Sequence, residues 1–167
     1  KWDDPNTFFS TERVNAAIVW TAFGYLEYRI PMDPLFIGRH ITKIKINMEL
    51  AAHHMLKTHD ALTLPPGITA DQITEDVTDV TFWVNGVEIG TQTVGVGTSR
   101  EEAVYTPTWW RTLPYHGELV KLSINEGGCF INKRKTNDTL SGAILGGQNR
   151  YLTLRIGIKP DAEHMNG

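Results

Sequence analysis

The chain has 167 residues, of which 41% are hydrophobic and 21% charged, and its formal net charge is −3. This length and composition are those of one ordinary globular domain, large enough to bury a core. The acidic balance, with no basic stripe, disfavours direct contact with nucleic acid. No apolar run approaches the roughly 18 residues that a membrane helix needs. The only cysteine, Cys129, excludes an intrachain disulfide and fits a reducing cytoplasm.

Strand patterns dominate the first third of the chain. Residues 17–23 are apolar on both faces of a strand, and Gly24 separates them from an alternating run at 25–30. The polar face of this second run carries Tyr25, Glu27 and Arg29. Residues 41–50 give the cleanest alternation, and we expect a strand there with one apolar face. Helix signals are few: residues 51–62 favour a turn or two of helix, and a short helix is predicted to begin at Thr69.

Residues 78–93 contain the strongest local signal, a β-hairpin. Apolar and polar residues alternate on both sides of Asn85-Gly86, a pair that suits the positive φ angles of a type I′ turn. A two-residue loop predicts a register with Val84 opposite Val87, Trp83 opposite Glu88, and Phe82 opposite Ile89. Because opposed residues share a sheet face, Trp83 and Glu88 are expected side by side, away from the apolar residues.

The C-terminal half continues the strand pattern. Residues 120–124 alternate, Glu126-Gly-Gly128 forms a turn, residues 129–132 pair back, and residues 151–158 alternate again. We therefore predict an all-β fold, an antiparallel β-sandwich of jelly-roll-like type with at most short helices, as a single domain over residues 1–167. Its predicted core consists of the inward-facing apolar residues Ile44, Ile46, Met48, Val80, Phe82, Val84, Leu122, Leu154 and Ile156.

Aromatic residues beside polar groups form the main candidate site. Flat rings stack on the C–H faces of a pyranose, and nearby carboxylate and guanidinium groups bind its hydroxyls. The predicted ligand-binding residues are Trp83, Glu88, Glu27, Arg29, Tyr25 and Trp109. In the competing interpretation a loop within residues 95–110 covers Trp83, and Trp109 with Trp110 closes one end of the sandwich.

Other constellations are weaker. His53, His54 and His59 lie near Asp60, but no metal-binding spacing is present, so no metal ligands and no cofactor are predicted. The glutamates, among them Glu27 and Glu88, would need a separation of about 5–10 Å to act as a glycosidase pair. No nucleophile motif accompanies the serines. We therefore predict no catalytic residues and no enzyme activity.

Five motifs together resemble one family of bacterial transcriptional regulators. They are Asp-Asp-Pro to Val-Asn-Ala at 3–16, Gly-Tyr-Leu-Glu-Tyr-Arg-Ile-Pro at 24–31, Asp-Val-Thr-Phe-Trp-Val-Asn-Gly-Val-Glu-Ile-Gly-Thr at 79–91, Thr-Pro-Thr-Trp-Trp at 106–110 and Arg-Ile-Gly-Ile-Lys-Pro-Asp-Ala at 155–162. These are similar to ArsR-type winged-helix repressors with a long C-terminal β-rich domain. The family's N-terminal winged helix is absent here, its pattern continues past Gly167, and residues 51–76 are longer than the family leads us to expect.

The resemblance implies the effector or oligomerisation domain of a cytoplasmic regulator. The expected partner is a sugar or another small-molecule effector, with a homodimer as the implied assembly and DNA contacted only through the missing N-terminal domain. The chain begins without Met, which predicts a fragment. The alternative is a stand-alone carbohydrate-binding module of an extracellular glycoside-active enzyme. No membrane partner is expected.

Overall fold

The computed structural model describes residues 24–52, 77–95, 117–138 and 150–165. Within these ranges the chain forms eight strands, and a single turn of 3₁₀ helix at Pro34–Phe36 is the only helical element. The strands are β1 Gly24–Pro31, β2 Lys43–Leu50, β3 Val77–Val84, β4 Val87–Gly95, β5 Glu118–Asn125, β6 Gly128–Ile131, β7 Arg134–Asn137 and β8 Tyr151–Ile158. No helix in these ranges is long and apolar enough to cross a membrane.

The strands form two antiparallel sheets of four strands each, which confirms the predicted all-β sandwich. The first sheet has the order β1-β8-β3-β4 and the second the order β2-β5-β6-β7. Strand β1 pairs along its whole length with β8, although the two are far apart in sequence. Along the chain, β1 lies in the first sheet, β2 in the second, β3 and β4 in the first, β5 to β7 in the second, and β8 returns to the first.

The core lies between the inner faces of the two sheets. Period-two alternation places the apolar residues of strands such as β3, β5 and β8 on that face, because successive side chains point to opposite sides. The fully buried members from the first sheet include Phe82 and Val84, and those from the second include Leu122, Ile124 and Ile131. Of the nine predicted core residues, Val80, Phe82, Val84, Leu122 and Leu154 are buried; Ile44, Ile46, Met48 and Ile156 are partly buried and pack against the cluster.

The hairpin of β3 and β4 forms as predicted at its turn but not beyond it. Asn85 and Gly86 have φ angles of 50° and 78°, as a type I′ turn requires. Val84 pairs with Val87 and Trp83 with Glu88, but Phe82 pairs with Gly90. The predicted pairing of Phe82 with Ile89 is therefore wrong, because a β-bulge inserts one extra residue into β4.

The bulge has a packing cause in the opposite sheet. Gly90 has a φ of 146°, and a Cβ atom at this position would lie 3.0 Å from the Cβ of Thr136 on β7. The glycine therefore lets β4 approach the second sheet closely, while the side chain of Ile89 is almost fully buried. Strand β7 was not predicted, since its residues 134–137 are polar and lack an apolar alternation. The predicted strand at 17–23 lies outside the described residues. The two predicted short helices also lie outside them, except for Ala51 and Ala52 at the start of the first.

Candidate functional site

The outer face of the first sheet carries a continuous row of polar and aromatic side chains. Glu27 on β1 pairs with Arg155 on β8, Arg155 pairs with Trp83 on β3, and Trp83 pairs with Glu88 on β4. Directly opposed residues project from the same face, so this row crosses all four strands. We call Glu27, Arg155, Trp83 and Glu88 the central row.

Trp83 is the apolar centre of this row. Its neighbours along β3, Phe82 and Val84, are completely buried on the inner face, whereas Trp83 remains partly exposed on the outer one. The alternation of the strand therefore directs the largest side chain of β3 away from the core. The indole ring lies among the charged side chains of the central row and offers a flat stacking surface.

Two ion pairs flank the ring. Arg155 donates from Nε and Nη2 to the same oxygen of Glu27, at 3.0 and 2.7 Å. On the other side, Lys159 Nζ donates to Glu88 Oε1 at 2.8 Å. All four side chains keep substantial exposure, between 29% for Glu27 and 43% for Glu88. Exposed pairs of this kind contribute about 0.2–1 kcal/mol each, so a ligand can rearrange them at small cost.

A second aromatic ring lies next to the central row. Tyr25 is 57% exposed, and the guanidinium carbon of Arg155 sits 4.0 Å from the centre of its ring. Opposite Tyr25 on β8 is Gly157, where a Cβ atom would lie 2.6 Å from the Cβ of Tyr25. A side chain larger than hydrogen at Gly157 would therefore displace Tyr25. Arg155 thus lies between two aromatic residues: its guanidinium contacts the Tyr25 ring, and Trp83 is directly opposite it on β3.

Lys159 reaches the site from a segment that is fastened to β3. The backbone N–H of Asp79 donates to the carbonyl oxygen of His164 at 2.9 Å, and the N–H of His164 donates to Asp79 Oδ2 at 3.2 Å. The other carboxylate oxygen of Asp79 accepts from the hydroxyl of Thr93 at 2.7 Å. Met165, at the end of this segment, is fully buried. The end of the segment 159–165 is thus held at the beginning of β3.

The structure brings five of the six predicted ligand-binding residues to one face. Trp83 and Glu88 are adjacent as predicted, and Tyr25, Glu27 and Arg29 share the outer side of β1 in the same sheet. Trp109, like the loop expected to cover Trp83, lies outside the described residues.

The prediction missed Arg155 and Lys159, which supply the cations of both ion pairs. Arg155 lies on the polar face of an alternating strand, a visible signal, but its relevance depends on pairing between β1 and β8. Lys159 follows that strand without any local pattern that marks it.

Glu27 and Glu88, two of the glutamates considered for a glycosidase pair, are each held in an ion pair. They lie at the two edges of the sheet with Arg155 and Trp83 between them. Three strand spacings place their Cα atoms about 14 Å apart. The described residues also contain no group of three metal-ligating side chains.

Comparison with protein-family models, with curated proteins and with solved structures found no match to this chain. The resemblance to ArsR-type regulators therefore stays a prediction from the motifs, and the outer face has to be interpreted from its own chemistry.

Proposed function

We propose that the outer face of the β1-β8-β3-β4 sheet binds a carbohydrate. The observation that carries the proposal is the partly exposed ring of Trp83, placed in a row with paired charged groups on both sides. Sugar rings have apolar C–H faces and polar edges, and this surface has an apolar centre and polar flanks. The apolar and polar parts of the surface therefore have the same arrangement as those of a sugar ring.

Stacking is the first part of the proposed mechanism. A pyranose ring lies against Trp83, and a second ring of an oligosaccharide reaches Tyr25, with Arg155 between them. Burial of apolar area against an indole ring supplies affinity, and the flat sheet keeps the cost of ordering the protein low.

Hydrogen bonding is the second part. The carboxylates of Glu27 and Glu88 accept from sugar hydroxyls, and the guanidinium of Arg155 donates to them. Arg29 adds an exposed guanidinium on the same side of β1. Charge-assisted hydrogen bonds are the stronger ones, and these groups provide specificity for the positions of the hydroxyls.

We infer from the motifs that this surface serves as the sensor of a cytoplasmic bacterial regulator of the ArsR type. Binding of a sugar would change the equilibrium between two arrangements of attached DNA-binding domains, by its different affinity for each. The support for this role is the resemblance alone, whereas the support for sugar binding is the surface itself.

A titration tests the proposal. The protein is titrated with glucose, galactose, xylose, cellobiose and maltotriose while its tryptophan fluorescence is recorded. We expect a saturable change with at least one of them, and we expect Trp83→Phe to lose most of that change. If the variant responds as strongly as the wild type, the binding site is elsewhere. A flat response of the wild type to every sugar would contradict the function.

A further inference from the structure

We propose that Lys159 is an internal competitor for this site, which covers the Trp83–Glu88 pair until a sugar displaces it. The inference rests on the proposed function and concerns its regulation. It follows from the position of one ammonium group, which contacts both an apolar and a polar element of the site.

Lys159 already occupies the interactions that a sugar would make. Its Nζ lies 2.8 Å from Glu88 Oε1 and 6.0 Å from the centre of the Trp83 ring. The second distance is at the outer limit of a cation–π contact. A pyranose that stacks on this ring and bonds this carboxylate meets the ammonium group at both points. Ligand and lysine therefore compete for Glu88 Oε1 and for the space over the Trp83 ring.

The backbone that carries Lys159 does not have to move when the side chain leaves. The segment from 159 to 165 is held to β3 by the two hydrogen bonds between Asp79 and His164, and by the burial of Met165. The four-carbon stem of lysine gives the ammonium group several positions from one fixed Cα. Displacement of Lys159 thus requires only a change in the torsion angles of its side chain.

Electrostatics make the competition sensitive to salt. The Lys159–Glu88 pair is partly exposed, with 32% and 43% of the two side chains accessible, so dissolved ions screen it. A neutral sugar carries no charge to be screened. Higher ionic strength should therefore weaken the internal competitor and raise the apparent affinity for a neutral sugar.

The test compares Lys159→Ala with a matched control, Lys45→Ala. Lys45 is an exposed lysine on β2 in the opposite sheet. Titrating the sugars named above by calorimetry, we expect Lys159→Ala to bind about two- to fivefold more tightly than the wild type, the range that an exposed ion pair is worth. Lys45→Ala should bind like the wild type. Raising the salt concentration should tighten binding by the wild type more than binding by Lys159→Ala, in which only the Arg155–Glu27 pair remains to be screened.

The results separate a failure of the role of Lys159 from a failure of sugar binding itself. If the wild type binds a sugar and Lys159→Ala binds it equally or more weakly, Lys159 is a bystander or a ligand-binding group, and only this inference is overturned. If neither protein binds any of the sugars, the proposed function and this inference fail together. Circular dichroism of both variants verifies that a changed affinity does not come from unfolding.

Discussion

Trp83 shows at the scale of one residue how the fold separates the stabilising core from the proposed binding surface. Its two neighbours on β3 belong to the core, and Trp83 itself belongs to the outer face. The same alternation therefore places an essential core residue next to an exposed aromatic ring.

Replacement of Phe82 tests the stability half of this separation. Phe82 is fully buried in the core cluster, so Phe82→Ala leaves a cavity and should lower the free energy of unfolding by about 3–5 kcal/mol. Urea denaturation measures the change. Trp83→Ala, which removes a larger but partly exposed ring, should cost less. A loss below about 1 kcal/mol for Phe82→Ala would contradict its place in the core.

Cys129 gives a second prediction at this scale. Burial raises the pKa of the Cys129 thiol, because the thiolate is poorly solvated in the core. At pH 8 the folded protein should react with a thiol reagent much more slowly than the protein in concentrated urea. Cys129→Ala serves as the blank. Equal rates in the folded and unfolded states would show that the thiol is accessible.

The raised pKa of Cys129 also predicts how the free energy of unfolding changes with pH. The unfolded thiol loses its proton at a lower pH than the folded one. Its contribution to stability is therefore complete below the ordinary thiol pKa, about 8.5, and declines as the pH rises through the raised value. Urea titrations at increasing alkaline pH should show this decline in the wild type, and less of it in Cys129→Ala.

At the scale of elements, structure that depends on neighbouring residues could be predicted, whereas contacts between strands distant in sequence could not. The turn at Asn85-Gly86 is encoded by two adjacent residues, so the register next to it was correct. Gly90 within the strand pattern is a local sign of a bulge, but its close contact with Thr136 lies in the other sheet and could not be predicted from the hairpin. The contact between Glu27 and Arg155 was not predicted either, because the two residues are 128 positions apart in sequence and no local pattern connects them.

Replacement of Gly90 tests the explanation of the bulge. Gly90→Ala combines a φ of 146° with a close contact to Thr136, whereas Gly38→Ala combines a φ of 75° with open space. Backbone strain costs about 1–3 kcal/mol, so both variants should be less stable in urea denaturation. Gly90→Ala should lose more, because its methyl group also pushes β4 from β7. Equal losses would mean that the approach of the two sheets is not what selects glycine.

At the scale of the whole molecule, the charge balance disfavours direct DNA binding by this chain. The chain carries a net charge of −3, and the cations Arg155 and Lys159 at the outer face are each paired with a glutamate. Tight DNA binding requires phosphate contacts by an uncompensated basic surface. We therefore expect no sequence-selective retardation of DNA by this chain in a gel-shift titration. Salt-dependent, sequence-selective binding would overturn the division of roles.

The central claim is that the outer face of the first sheet binds sugars through Trp83. Calorimetric titration of wild type, Trp83→Ala and Phe36→Ala with the sugar that gives the largest fluorescence response tests it most directly. Phe36 is a matched control, since it is an exposed aromatic residue of the 3₁₀ turn, outside the sheet. We predict that Trp83→Ala weakens binding at least about tenfold, or about 1.4 kcal/mol, while Phe36→Ala binds like the wild type. Unchanged affinity in Trp83→Ala, or equal losses in both variants, would contradict the claim.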